Sequence, residues 1–262
     1  MTDNHSQLLA AYKDIAAILD KYDLPYYGAY GTAIGAVRHK GFIPWDDDLD
    51  LVIFAKDLDR INEVLEAELD KDKYYYHNPS ADSHPHVIIK TENFIEDIKN
   101  QKASFIDLFV LMDFPKSIIR QGLMYPFCGF ELLSHKILGD HDSGIVKAIF
   151  YPIELISRKM IRFFSTSKTD LVSLRAVQVR KHVWKKSDYG TPVVVDFEDT
   201  TIPLPEKYHE MLTNFYGDYM TPPPEDQRTG AAGYPYSLLN DYLEDQGERK
   251  KHRRLSSKDL PK

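Results

Sequence analysis

A single cysteine, Cys128, among 262 residues leaves no internal disulfide framework and no cysteine-based zinc site. No apolar run approaches the roughly 20 residues needed to span a bilayer. Residues 1–7 carry neither a basic stretch nor an apolar core, so no secretory leader is expected. The expected location is cytoplasmic, extending to the inner face of the cell membrane. Positive charge is not in excess either. With 33 Lys and Arg against 40 Asp and Glu, the net charge is −7, which argues against a general nucleic-acid binder. There is no internal repeat. What remains, 43% hydrophobic and 28% charged residues, is the composition of an ordinary globular chain. Its length suits one large domain or a core with an appendage.

The most informative stretch runs from Gly31 to Leu51. A glycine-opened turn, Gly31 and Thr32, is followed by the basic triplet Arg38, His39 and Lys40. Then come Pro44, Trp45 and four aspartates, Asp46, Asp47, Asp48 and Asp50. In a strand, side chains alternate faces, so Asp48 and Asp50 point one way while Leu49 and Leu51 pack behind. Carboxylates that close repel each other unless a cation lies between them, and hard oxygen ligands in small number suit Mg2+, with Mn2+ as the substitute ion. Arg38 and Lys40 would hold a diphosphate beside the metal, the alternative being a basic helix end set against the dipole. Gly31 and Thr32 would face a phosphate at a helix N-terminus. A solvated acidic turn is the plain alternative for the aspartates.

Apolar spacing organises the rest. Leu8, Tyr12, Ile15 and Leu19 predict an amphipathic first helix. Short strands are expected at 26–30, 48–54, 87–89 and 104–112, with a helix capped by Thr32 and another on Leu58, Ile61, Leu65 and Leu69. On the strand at 104–112, Phe105, Asp107 and Phe109 share one face. A lone carboxylate there is costly to bury without a partner, and a metal site at Asp48 and Asp50 would supply one. From 118 to about 184 the pattern is helical, with breaks near 139–143 and 165–169. A strand at 192–197 and a helix at 206–216, stopped by Gly217, complete the chain.

The expected division is a catalytic core at 1–115, a helical insertion at 116–185, a return strand and helix at 186–245, and a charged, disordered tail at 246–262. His84 and His86 alternate on one strand face, which permits a metal site. With no third histidine or cysteine at ligand spacing, surface or substrate contacts are preferred. Trp45 reads as a core wedge, or alternatively a base-stacking residue. Cys128, in an apolar segment, reads as a small buried hydrophobe. The segment 144–164 is apolar yet studded with cations. It reads as a core helix of the insertion, with a helix lying in a membrane interface as the alternative.

Gly31, Thr32, Gly35, Arg38, Gly41, Ile43, Pro44, Trp45, Asp46, Asp47, Asp48 and Asp50 together resemble the signature of the LicD/fukutin family of phospho-alcohol transferases. Phe105 to Phe109 resembles that family's second aspartate strand, and 215–225 its tyrosine-glycine-aspartate and proline motif. The resemblance implies an α/β, nucleotidyltransferase-like mixed sheet with a helical insertion. It further implies Mg2+-dependent transfer of a phospho-alcohol, phosphocholine first, from a CDP-alcohol donor to a sugar hydroxyl. The acceptor would be a lipid-linked or oligosaccharide precursor of a cell-surface glycopolymer, teichoic acid or lipopolysaccharide, reached by peripheral membrane contact. Asp48 and Asp50 would hold the metal, and Asp107 would be general base or a further ligand. The substrate-binding set would be Gly31, Thr32, Arg38, His39, Lys40, Trp45, Asp46 and Asp47. A metal-dependent glycosyltransferase using a nucleotide sugar, and a non-catalytic protein of the same fold, are the alternatives.

Overall fold

Helix α1 (Asp3–Lys21) forms where the apolar period predicts it. Leu8, Tyr12, Ile15 and Leu19 are buried along one side, and the Thr2 hydroxyl caps the helix by accepting the His5 N–H. In the computed structural model the described residues are 2–79, 82–140, 143–165, 169–174, 182–228, 234–235, 237–247 and 254–260. Under α1 lies a sheet built from β1 (Tyr26–Gly28), β2 (Leu49–Phe54), β3 (Tyr74–His77), β4 (His86–Ile89) and β5 (Phe105–Asp113). Their spatial order is β1-β2-β5-β4-β3. The contact between β2 and β5 is parallel, and β1 with β2, β4 with β5 and β3 with β4 are antiparallel. The result is a mixed α/β fold.

The two central strands are apolar on one face. Leu49, Leu51 and Ile53 of β2 and Ile106, Leu108 and Val110 of β5 are buried with α1 and with α3 (Leu58–Glu68) in the main core. Each such aliphatic side chain contributes about 1.5–3 kcal/mol of burial, so this face fixes the register. A one-residue slip would turn the whole set outward. Helix α2 (Tyr30–His39) crosses between β1 and β2. It starts two residues before Thr32, with Ala29 at the N-cap, so the expected threonine cap is corrected. Helix α4 (Phe94–Lys99) links β4 to β5.

Two long helices follow, α5 (Ile118–Asp140) and α6 (Gly144–Phe164), broken near the expected positions. They run antiparallel, since Glu131 meets Arg158 and His135 meets Glu154. The helical reading of 118–184 then fails. Strands β6 (Leu171–Leu174) and β7 (Val183–Lys185) pair with each other, and β6 adds to the far half of β5. Runs this short carry too little period to be read locally, and pairing decides them. After α7 (Lys186–Tyr189), a hairpin of β8 (Val193–Phe197) and β9 (Thr200–Leu204) packs Phe197, Ile202 and Leu204 into the main core beside Tyr12. Helix α8 (Tyr208–Tyr216) ends at Gly217, whose φ of 73° suits glycine. Helix α9 (Leu238–Gln246) covers the β3 edge.

Composition suggests a disordered tail at 246–262, yet Leu255 and Leu260 are almost fully buried in the main core. The Asn78 side chain donates to the Leu255 carbonyl at 3.2 Å, and the Asn78 carbonyl accepts its N–H at 3.1 Å. Charge density alone does not show that two leucines anchor the segment. The most charged part, 248–253, lies outside the described residues.

Candidate active site

Sheet register assembles the site. Asp50 of β2 stands opposite Asp107 of β5, Asp107 opposite His86 of β4, and His86 opposite His77 of β3. Partners in register share a face, so four ionisable side chains form one row across four strands, with neighbours about 4.8 Å apart. On β3, β4 and β5 the adjacent row is apolar, formed by Tyr75, Ile88 and Phe105. At the far end His77 Nε2 lies 2.8 Å from Asp241 Oδ2 on α9.

Loop 42–48 brings further carboxylates to the Asp50 end. Its backbone is held by the first turn of α1, where Asn4 Nδ2 donates to the Asp47 carbonyl at 2.9 Å and His5 Nε2 to the Asp46 carbonyl at 2.7 Å. Gly31 makes room for Asp46, because a Cβ there would sit 2.3 Å from Asp46 Oδ2. Asp46, Asp47 and Asp48 can converge on one ion. Burial pushes the Asp48 carboxyl up to about 7, with Asp46, Asp107 and Asp47 adding repulsion. Asp50 is raised well above the ordinary carboxylate range, by burial first and then by Asp48, Asp107 and Asp46. Asp46 is raised by burial and Asp47. This is electrostatic crowding that a divalent cation would relieve.

Asp107 faces the opposite way electrostatically. Burial alone would raise it, but His84 and His86 outweigh burial and hold the carboxyl at about 2. His86 Nδ1 is 2.6 Å and His84 Nε2 3.3 Å from Asp107 Oδ1. His86 in turn is held up at about 10, because Asp82 and Asp107 overcome the cost of burying its charge. Its Nε2 is 3.1 Å from Asp82 Oδ2, and Asp82 also lies 3.9 Å from His135 of α5. The spacing of His84 and His86 suggests surface or substrate contacts. Both are buried, which corrects the surface reading, and with Asp107 they could hold an ion. The third member of that set comes from another strand, where spacing along the chain cannot show it.

The remaining sequence-predicted residues are placed as follows. The Thr32 hydroxyl, expected at a phosphate, is buried and accepts the Asp50 N–H at 2.8 Å, which fixes the start of β2 against α2. Arg38 Nη1 donates to the Tyr219 carbonyl at 2.7 Å, and Arg38 Nε to His39 Nε2 at 2.9 Å. Burial and Arg228 lower the Arg38 pKa, and burial and Arg38 lower that of His39. Trp45 lies under two guanidinium groups, Arg38 at 5.9 Å and Arg228 at 4.6 Å from the ring centre, with His39 edge-on at 6.0 Å. Lys40 is exposed and left-handed at φ 57°, and its carbonyl accepts the Glu198 N–H. Cys128 is half-buried, and burial lifts its thiol to about 12.

Sequence reasoning did not name Asp82, Arg228 or Tyr216 as site residues. Tyr216 is near enough to Asp50, Asp46 and Asp48 for them to add to the upward shift that burial gives its phenol. The motif at 215–225 was its only local signal.

The acidic front thus lies on loop 42–48, β2 and β5 of a mixed sheet. The family described as LicD/FKTN/FKRP, nucleotidyltransferase domain, matches residues 23–134, which hold the whole carboxylate cluster and both histidines. A lipopolysaccharide cholinephosphotransferase, LicD, of Haemophilus influenzae is 27% identical over 241 residues, covering 81% of this chain and 88% of that protein. An uncharacterized protein of Rickettsia prowazekii is 27% identical over 50% of this chain and 48% of its own length. Over residues 23–134 the chain is thus similar to the LicD family.

Proposed function

We propose that this protein transfers phosphocholine from a CDP-activated donor to a sugar hydroxyl of a lipid-linked or oligosaccharide glycopolymer precursor, with Mg2+ as cofactor. The observation that carries the reading is the convergence of Asp46, Asp48, Asp50 and Asp107, with Asp48 and Asp50 raised in pKa by burial and mutual repulsion. The lipopolysaccharide cholinephosphotransferase activity of the Haemophilus relative supports the transferred group and, in general terms, a glycan acceptor.

The donor set fits a hard divalent cation: all-oxygen, crowded, and partly buried. Asp48 and Asp50, with Asp107 beside them, would hold Mg2+, and Mn2+ has the same ligand preference. When bound, the ion supplies charge neutralisation at the donor diphosphate. Of the two roles that the family resemblance implies for Asp107, ligand is the better match. A carboxyl held at about 2 by His84 and His86 stays ionised but is a weak base. Thr32 and Gly31 act one step back, by fixing the Asp50 backbone and admitting Asp46. Arg38, Arg228 and Trp45 form a stacked cationic wall on the loop that carries the aspartates. Such a wall can take an anionic donor phosphate.

The test is a thermal-shift panel of CDP-choline, CDP-ribitol, CDP-glycerol and UDP-sugars, each with Mg2+. Stabilisation by CDP-choline that needs Mg2+ and disappears in Asp48→Ala and Asp50→Ala supports the reading. Stabilisation by UDP-sugars alone would replace it with a glycosyltransferase.

A further inference from the structure

Helices α5 and α6 are arranged inside out. Their shared seam is charged: Arg158 Nε meets Glu131 Oε1 at 3.1 Å, Arg158 also bonds Glu154, and His135 Nδ1 lies 3.5 Å from Glu154 Oε1. Ser134 and Ser157 are buried beside them. The outward side is apolar. Ile119, Leu123 and Phe130 recur at helical spacing on α5, as do Ile149, Ile156 and Phe163 on α6, and each is more than half exposed. Of the 18 exposed large apolar side chains among the described residues, 13 lie on these two helices, so the patch belongs to the pair and not to the surface at large. A helix packed on a core in water shows the opposite arrangement. An apolar patch this long marks a contact surface.

Charge chooses the occupant. Residues 116–164 hold seven Lys and Arg against four Asp and Glu, in a chain whose net charge is −7. Lys136, Lys147, Lys159 and Arg162 are exposed on the same two helices. A second copy of the chain could match the apolar face but would set these like charges together. An anionic bilayer satisfies both features, with apolar side chains below the headgroups and cations among them. No helix among the described residues is long and apolar enough to cross a membrane. The pair would therefore lie along the surface, each helix covering roughly 30–35 Å at 1.5 Å per residue.

We propose that the outward face of the α5–α6 hairpin docks this protein on an anionic lipid bilayer, lying in the boundary between headgroups and acyl chains. The inference stands on the hairpin alone and is independent of the transferase reading.

The experiment is flotation of the full chain with vesicles of phosphatidylcholine, with and without phosphatidylglycerol. The native chain should float with the phosphatidylglycerol vesicles, and added salt should weaken this. Replacing three outward side chains, Phe130→Ser, Ile156→Ser and Phe163→Ser, should lower partitioning at least about tenfold. Those side chains are exposed, so far-ultraviolet circular dichroism should be unchanged. As a gain-of-signal check, tryptophan fluorescence of Phe163→Trp should shift to the blue on adding vesicles and be quenched by brominated acyl chains. A native chain that stays unfloated with both vesicles overturns the proposal. So does a triple variant that floats as well as the native chain. A native dimer that the triple variant converts to monomer, without vesicle binding in either, assigns the face to a second copy instead.

Discussion

Replacing Asp48 by asparagine should make the metal-free protein more stable while removing its function. The carboxyl is lifted from 3.8 to about 7, by burial first and then by Asp46, Asp107 and Asp47. Ionising it in the folded chain therefore costs about 4 kcal/mol more than in the unfolded chain, at about 1.4 kcal/mol per pK unit. Its neighbours share that repulsion and partly relax when it is neutralised, so the measured gain should be about 2–4 kcal/mol. The sign follows from the raised pKa. The native carboxyl favours the folded state below pH 4, and that stability is lost as pH rises through about 7. Denaturant unfolding of native and Asp48→Asn chains should thus coincide near pH 4 and separate by pH 8, with the variant higher. Mg2+ should close the gap from the other side, adding about 2.7 kcal/mol to the native chain at a hundredfold excess over Kd and much less to the variant. A variant no more stable at pH 8, or one that gains as much from Mg2+ as the native chain, would refute the electrostatic reading of the cluster.

Other expectations follow from the same geometry. His86→Ala leaves Asp82 and Asp107 buried without their shared cation, and should lower unfolding free energy by about 3–5 kcal/mol. In an Asp82→Asn background the same change should cost less, which a double-mutant cycle would measure. Gly31→Ala and Gly35→Ala should part company. At Gly31 the new Cβ meets only the Asp46 carboxylate, so stability should stay within about 1 kcal/mol while transferase activity falls. At Gly35 it meets the Gly41 carbonyl oxygen at 2.4 Å, and a backbone that cannot step aside should cost about 1–3 kcal/mol in thermal unfolding. Removing the last residues from 254 onward strips Leu255 and Leu260 from the core and should destabilise the chain by several kcal/mol on the scale of large-to-small core substitutions, read by circular dichroism melts.

The sequence made the acidic front legible because it is local. Asp48 and Asp50 lie two residues apart, and Asp107 stands alone on an apolar strand, so period-two alternation and the cost of a buried carboxylate both pointed to the site. The histidine side was hidden because it is assembled across strands. His86 meets Asp107 through β4–β5 register, and Asp82 reaches His86 from a loop. Thr32 illustrates a different limit. A threonine after a glycine reads as an N-cap, but helix α2 begins at Tyr30 with a left-handed φ of 44°, which turns the hydroxyl to β2. The apolar segment 144–164 reads as helical, but a hydrophobic stripe alone does not say whether protein or solvent lies beyond it.

The ionisable row across the sheet bears on how the protein is made. Its front end, Asp50 and Asp107, and its middle, His86, are complete once β5 has emerged from the ribosome. Its back end waits for α9, which supplies the Asp241 carboxylate to His77. A nascent chain, or a fragment ending before Leu238, would carry the whole recognisable signature with one end of the row unsealed. The buried ring of His77 would then have lost its Nε2 partner, beside a Nδ1 that already has none. The row thus reaches its finished electrostatics only once α9 has been made.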